Sequence, residues 1–273
     1  MQTHQPDRQF LFICGTARSG TTALTRVLNA HEHIGIGMER FKQITRGHTR
    51  HLLTPELFDE ERFFDFTDAH TNMTPSKSDA MQYYYDTLHA KWSGLSYIGD
   101  KVPNSFRTVS HVHQNFPRTK HVFIVRDIFQ TACSWHTRAK KPGDAWAEHK
   151  DANFAVYPWN ETIHSYLDLK REHPDDFYLV DYHRFFDAVE GDVAELVRLC
   201  DFLDITMDES MRDTYIQAQS HHHQKVKTKS RELDAENMAY ILEHADLEAY
   251  REATGRLPDE LPSMLASKTG TDA

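Results

Sequence analysis

The sequence predicts a single α/β domain, a P-loop-like parallel sheet flanked by helices and carrying a mostly helical and irregular cap. Three observations predict it. Apolar runs recur at residues 10–14, 34–37, 96–99, 121–125 and 177–180, continuous as strands covered on both faces require. Helical patterns alternate with them, at 21–30, 79–92, 105–114, 127–138, 157–172, 190–203, 207–219 and 234–250. The first run also passes through a glycine-flanked, hydroxyl-rich turn directly into a helix. At 273 residues, 39% hydrophobic and 11% aromatic, the chain can bury a sizeable core. The domain is expected to span 1–262. Residues 40–95 interrupt the alternation and read as an acceptor-binding insertion. Residues 263–273 read as a flexible tail.

In chain order, the strand 10–14 breaks at Gly15 and crosses Thr16-Ala17-Arg18-Ser19-Gly20-Thr21-Thr22 before the helix. Free backbone N–H groups and the positive end of the helix dipole converge on such a turn. Arg18 adds a guanidinium with bidentate geometry for phosphate or sulfate. Arg18, Ser19, Gly20, Thr21 and Thr22 thus form an anion cradle, for a phosphoryl or a sulfuryl group. A Walker A loop would place Lys after its second glycine, and here Gly20 is followed by Thr21.

The second motif is HVFIVRDIFQTACSW, residues 121–135, where Arg126 ends a strand and Ser134 follows eight residues later on a helix. Arg126 supplies charge and Ser134 a hydroxyl donor. A strand-end ion pair with Asp127 or Asp181 is the other reading of Arg126.

Arg18-Ser-Gly-Thr-Thr22 resembles the 5′-phosphosulfate loop of sulfotransferases that use 3′-phosphoadenosine 5′-phosphosulfate (PAPS), in the style of their bacterial, carbohydrate and tyrosylprotein branches. Arg126 with Ser134 resembles the 3′-phosphate site of the same family. The resemblance implies a sulfotransferase. It would move a sulfuryl group from PAPS to a hydroxyl or amine of a small metabolite or sugar, release adenosine 3′,5′-bisphosphate, and use no metal. In-line transfer needs a base for the acceptor proton and cations at the sulfonate and leaving oxygen.

Glu39 is the leading base. It follows the strand 34–37, 21 residues after Arg18, and its context GMERF resembles the catalytic-glutamate loop of tyrosylprotein and several bacterial members. The alternative is a glutamate paired with Arg40 or Lys42. Phenol and steroid sulfotransferases use a histidine in a Lys-Thr-His string. Here the slot reads GDKVPNS, with Pro103 at the histidine position and Lys101 kept. Lys101 can stabilise charge on the sulfonate, or else pair with Asp100. Asn104 and Ser105 read as caps of the next helix. His31 and His33 are the reserve bases.

Ala23 stands where cytosolic relatives place an aromatic for adenine; Trp135, beside Ser134, or Tyr182, after the strand 177–180, could stack on the base instead, with core packing the default reading of both. Lys227, Lys229 and Arg231 stand where the family closes its nucleotide site with a basic loop, though its Arg-Lys-Gly string is absent; a solvated surface loop is the other reading. The tract His221-His222-His223 cannot turn all three rings to one ion.

A net charge of −10 argues against a general nucleic-acid surface. The early apolar run is too short for a leader or membrane span, which gives a cytoplasmic expectation with no membrane partner. Cys14, Cys133 and Cys200 are dispersed in apolar elements and read as core thiols. The expected partner is a small-molecule acceptor, for a monomer or homodimer. A P-loop kinase or hydrolase and a non-catalytic nucleotide-binding regulator are the competing functions. The missing Gly-Lys weighs against the first, and Glu39 with Lys101 against the second.

Overall fold

The computed structural model describes residues 8–45, 47–228 and 233–258. Five parallel strands form one sheet: β1 (Gln9–Gly15), β2 (Ile34–Met38), β3 (Tyr97–Lys101), β4 (Thr119–Val125) and β5 (Phe177–Asp181), in the order β2-β3-β1-β4-β5. The chain winds to one side of β1 and then to the other. A crevice therefore opens beside the carboxyl end of β1, where ligands of open α/β sheets bind. The helices are α1 (Thr21–Ala30), α2 (Glu60–Phe63), α3 (Asp79–Ala90), α4 (Phe106–Asn115), α5 (Ile128–Ala139) and α6 (Val156–Glu172). They continue with α7 (Tyr182–Phe186), α8 (Ala194–Leu203), α9 (Glu209–Thr228), α10 (Ala235–His244) and α11 (Leu247–Thr254).

Alternation along each strand divides the core. Leu11 and Ile13 of β1, with Val122 and Ile124 of β4, meet α1, α7, α8 and α9 on one face. Phe10 and Phe12 face the other way, into residues 41–95, while Cys14 and Phe123 meet α4 and α6. The sheet is tight at Gly99, where a Cβ would lie 1.7 Å from the Leu11 carbonyl oxygen. All three cysteines are buried and none forms a disulfide, and burial pushes the Cys14 thiol up to about 12. Among the described residues no helix is long and apolar enough to cross a membrane.

All five strands lie where the apolar runs predict them. The helices differ in several places, the unpredicted four-residue α2 among them. The span 234–250 is two helices, broken before Asp246, whose carboxylate caps α11 at the Ala249 N–H. Residues 190–193 precede α8 rather than belong to it, and α9 runs nine residues past 219. The short α7 was not predicted, because five residues leave no readable period.

The insertion is more than a cap. Phe41, Phe58, Phe63, Tyr85 and Trp92 pack on Phe10, Phe12 and Ile98, so this segment supplies one layer of the core. It is pinned by Arg40, whose side chain is fully buried. Arg40 donates to both carboxylate oxygens of Asp68 (3.1 and 2.6 Å) and to the carbonyls of Phe63 (2.7 Å), Asp65 (2.6 Å) and Arg62 (3.2 Å). Every guanidinium bond thus ends within the segment that follows β2.

Removing one member of a buried pair strands the other. Asp68→Ala is expected to cost about 3 kcal/mol or more of stability, read from urea midpoints at constant m-value. A loss below about 1 kcal/mol would mean that the apolar contacts alone hold the insertion.

Candidate active site

Each strand delivers a site residue at its carboxyl end. After β1 comes the cradle. Gly20 has φ 98°, and a Cβ there would lie 2.6 Å from the Tyr182 ring, so the turn needs glycine twice over. The first turn of α1 has no side-chain cap, which leaves its N–H groups directed at the loop. Ser19 Oγ is buried and has no hydrogen-bond partner among the described residues. An uncapped helix start beside an unsatisfied buried hydroxyl fits a phosphate or sulfate ester.

The loop is held from outside. The Ala17 N–H donates to Asn104 Oδ1 (2.9 Å), the Asn104 N–H to the Gly15 carbonyl (2.8 Å), and the Trp135 indole N–H to the Ala17 carbonyl (2.7 Å). Trp135 is therefore buried as a loop support and cannot stack on adenine. Asn104 likewise braces the cradle instead of capping α4, where Ser105 sits at the cap position without a side-chain capping bond.

After β2 and at the end of β3 lie Glu39 and Lys101. Lys101, 1% exposed, sets its Nζ 3.2 Å from Glu39 Oε1 and 3.4 Å from Thr22 Oγ1 on the first turn of α1. Lys42 bonds the other carboxylate oxygen. Of the two partners the sequence offered Glu39, Lys42 is therefore present, while Arg40 points to Asp68. Asp100 does not pair with the Lys101 ammonium by contact. It accepts the backbone N–H groups of Arg40 (3.0 Å), Phe41 (2.8 Å) and Lys101 (2.9 Å). Burial pushes Asp100 up to about 6, against those donors and Lys101. Burial also raises the Glu39 carboxyl, but Lys101 and Lys42 together outweigh it and hold Glu39 below the ordinary carboxylate range. Burial lowers Lys101, with Glu39 opposing.

After β4 comes Arg126, whose Nε–H donates to Gln130 Oε1 (3.0 Å) and whose guanidinium lies 4.3 Å from the centre of the Tyr182 ring. Asp127 caps α5 and Asp181 caps α7. Ser134 accepts from Arg18 Nε (3.1 Å), so the structure joins the two sequence motifs through a side-chain bond. Tyr182, after β5, packs between Gly20 and Arg126, and its hydroxyl meets His222 Nδ1 (2.9 Å). His222 Nε2 lies 3.2 Å from Asp187. Burial lowers His222 to about 4, against Asp187 and helped by Arg126, so the ring is neutral at pH 7. Tyr182 thus positions Arg126.

Sequence reasoning missed Asn104, Gln130, Asp187 and His222. One signal was readable, since Met211, Tyr215, Gln219 and His222 follow helical spacing along the buried stripe of α9. The reserve bases are displaced. His31 ends α1, roughly 15 Å along the helix from the cradle, where Nε2 meets the Thr206 carbonyl (3.0 Å); His33 Nδ1 meets the Gly94 carbonyl (2.9 Å). Both stand at the amino-terminal edge of the sheet. Lys229 and Arg231 lie outside the described residues. The Lys227 backbone is in the last turn of α9, and its side chain is outside them too.

A sequence model described as the Sulfotransferase family matches residues 11–209. A Caenorhabditis briggsae protein provisionally named a protein-tyrosine sulfotransferase is 24% identical over 222 residues, covering 80% of this chain and 70% of that one. The solved sulfotransferase domain from the curacin biosynthetic pathway superposes with a TM-score of 0.51 at 17% identity, over 86% of this chain and 97% of that one. A second, from the Synechococcus PCC 7002 olefin synthase, gives 0.49 at 18% identity over 100% and 98%.

The depressed Glu39 carboxyl sets a sign for stability against pH. A carboxyl lowered on folding contributes fully above its unfolded value, about 4.3, and the contribution is lost as pH falls through the lower folded value. Wild type is expected to exceed Glu39→Gln in melting temperature at pH 6–7, with the gap closing on acidification. A gap that widened toward acid would overturn the ion-pair assignment.

Proposed function

The chain belongs to the sulfotransferase family, and from that premise we propose that it moves a sulfuryl group from PAPS to a hydroxyl or amine of a small metabolite or sugar, releasing adenosine 3′,5′-bisphosphate. One observation carries the reading: the Glu39–Lys101–Thr22 contact puts a carboxylate and a buried ammonium on the first turn of the anion cradle. Arg18, Ser19, Gly20, Thr21 and Thr22 hold the 5′ end. Arg126, set by Tyr182 and Gln130, holds the 3′-phosphate with Ser134, which also ties Arg18. Lys227, Lys229 and Arg231 are assigned to the nucleotide by the family resemblance alone.

Glu39 takes the acceptor proton as the acceptor oxygen or nitrogen bonds to sulfur, the bridging S–O bond breaks, and the bisphosphate leaves with that electron pair. Lys101, Arg18 and the cradle amides meet the charge that grows on the sulfonate and leaving oxygen. The Glu39–Lys101 pair has a further consequence. When Lys101 turns toward the sulfonate, Glu39 loses its strongest counter-charge and becomes more basic as the proton has to move. No metal takes part in the transfer. Residues 1–262 act as one cytoplasmic catalytic unit, monomeric or homodimeric, without nucleic-acid or membrane partners, and 40–95 borders the acceptor. The name of the Caenorhabditis relative brings in peptide tyrosine as a second acceptor class.

Adenosine 3′,5′-bisphosphate is expected to raise the melting temperature more than AMP or ATP with magnesium, and Arg126→Ala to erase the difference from AMP. If AMP and the bisphosphate act alike on wild type, Arg126 has been misassigned. Labelled PAPS offered with alcohols, amines, sugars and a tyrosine peptide identifies the acceptor class.

Glu39→Gln is expected to cut turnover on an alcohol by about 10² or more, with bisphosphate affinity nearly unchanged. Turnover should persist in EDTA. Near-wild-type turnover of the variant would remove Glu39 as base, and full loss in EDTA restored by magnesium would favour phosphoryl transfer.

A further inference from the structure

At the amino-terminal edge of the sheet, about 20 Å along the strands from the cradle, three side chains from separate segments converge. His113 lies in the last turn of α4, His173 is the C-cap residue of α6, and Asp176 immediately precedes β5. Each offers one ligand atom, and the three atoms lie within 4.8 Å of one another. We infer that His113, His173 and Asp176 bind a divalent transition-metal ion, zinc in first place, which clamps α4 to the α6–β5 turn.

The packing favours an ion over ordinary pairing. Hydrogen bonds would draw these groups to about 2.7–3.2 Å, yet His113 Nε2 stands 3.8 Å from Asp176 Oδ2. Among the described residues, none of the three side chains makes a hydrogen bond. The two imidazoles lie tilted with ring centres 4.3 Å apart at 48°, and each has a ring nitrogen within 4.8 Å of an Asp176 oxygen. The carboxylate divides its oxygens, Oδ1 toward Lys120 (3.8 Å) and Oδ2 toward His113. The geometry is slightly open for zinc. Bonds of about 2.0–2.1 Å in a tetrahedron separate ligand atoms by roughly 3.3 Å, so closure takes movements of about 1 Å. Asp176 is anchored for this, since its carbonyl accepts the His121 N–H (2.8 Å). Two imidazoles and one carboxylate are a borderline donor set that suits zinc over magnesium or calcium and leave a fourth position to water.

The test uses the full chain and zinc alone, titrated against a chromogenic chelator, with cobalt absorption as a second readout. Wild type is expected to bind zinc, to melt higher with it, and to give a visible cobalt d–d band. His173→Ala and Asp176→Ala replace partly exposed side chains, which keeps misfolding from clouding the result, and His113→Ala completes the set. Each is expected to lower zinc affinity tenfold or more and to lose the cobalt band, while metal-free melting temperatures stay within a degree or two. His221→Ala with His223→Ala controls for the exposed tract on α9 and is expected to leave the strongest equivalent intact. The proposal is overturned if zinc affinity is unchanged in all three variants, if the strongest equivalent disappears with the α9 control instead, or if wild type binds no zinc. The site lies apart from the proposed transfer, so stripping zinc should lower the melting temperature without changing turnover well below it.

Discussion

Asp100 sits fully buried at the end of β3 and commits both carboxylate oxygens to backbone amides, those of Arg40, Phe41 and Lys101. That arrangement fixes the chain leaving β2 against the end of β3. It turns Glu39 into the left-handed region at φ 57°, sends Arg40 down into the insertion, and leaves the Lys101 ammonium beside the Glu39 carboxylate. A buried carboxylate is costly unless its lone pairs are filled. Here three N–H groups fill them, which is why the position tolerates a charged group with no ion-pair contact. The Glu39 carboxylate, the Lys101 ammonium beside it and the Arg40 anchor of the insertion all descend from this one set of bonds.

The neighbouring backbone carries the same signature. Arg18, Glu39 and Asn104, none of them glycine, have φ of 77°, 57° and 60° just beyond β1, β2 and β3. Such conformations persist only where surroundings over-determine them. Asn104 is held by the Gly15 carbonyl and in turn holds the Ala17 N–H; Glu39 is held by the Lys101 carbonyl (2.9 Å). The three turns brace one another across the sheet edge, so the backbone of the anion cradle and that of Glu39 and Lys101 are held as one unit. The tyrosine after β5 completes it from the other side, wedged between Gly20 and Arg126 and held by His222.

Much of this was legible in the sequence because it is local. Continuous apolar runs mark strands covered on both faces, and the residue after each run falls at the carboxyl edge by topology. Arg18, Glu39, Lys101, Arg126 and Tyr182 could therefore be placed without coordinates. What stayed hidden depends on partners far apart in the chain. The link between Asn104 and Ala17 spans 87 residues and that between Tyr182 and His222 spans 40. Ser134 is eight residues from Arg126, and spacing tied the two together, yet it accepts a hydrogen bond from Arg18, 116 residues away. The insertion misled for a related reason. Its short turns have no period, so its aromatic residues gave no sign that they close one face of the sheet.

For a chain of net charge −10, the anion binding proposed above has to be solved electrostatically at short range. Long-range attraction is unavailable to it, and at physiological ionic strength charges beyond about 8 Å are screened in any case. The site answers with cations that other groups keep in place: Arg18 on Ser134, Lys101 on Glu39 and Thr22, Arg126 on Gln130 and Tyr182. Glu39 and Lys101 form an ion pair in that set, so Lys101 yields its field to an anion only by releasing Glu39. In the proposed reaction that release is what couples the anion's arrival to the basicity of the carboxylate beside it.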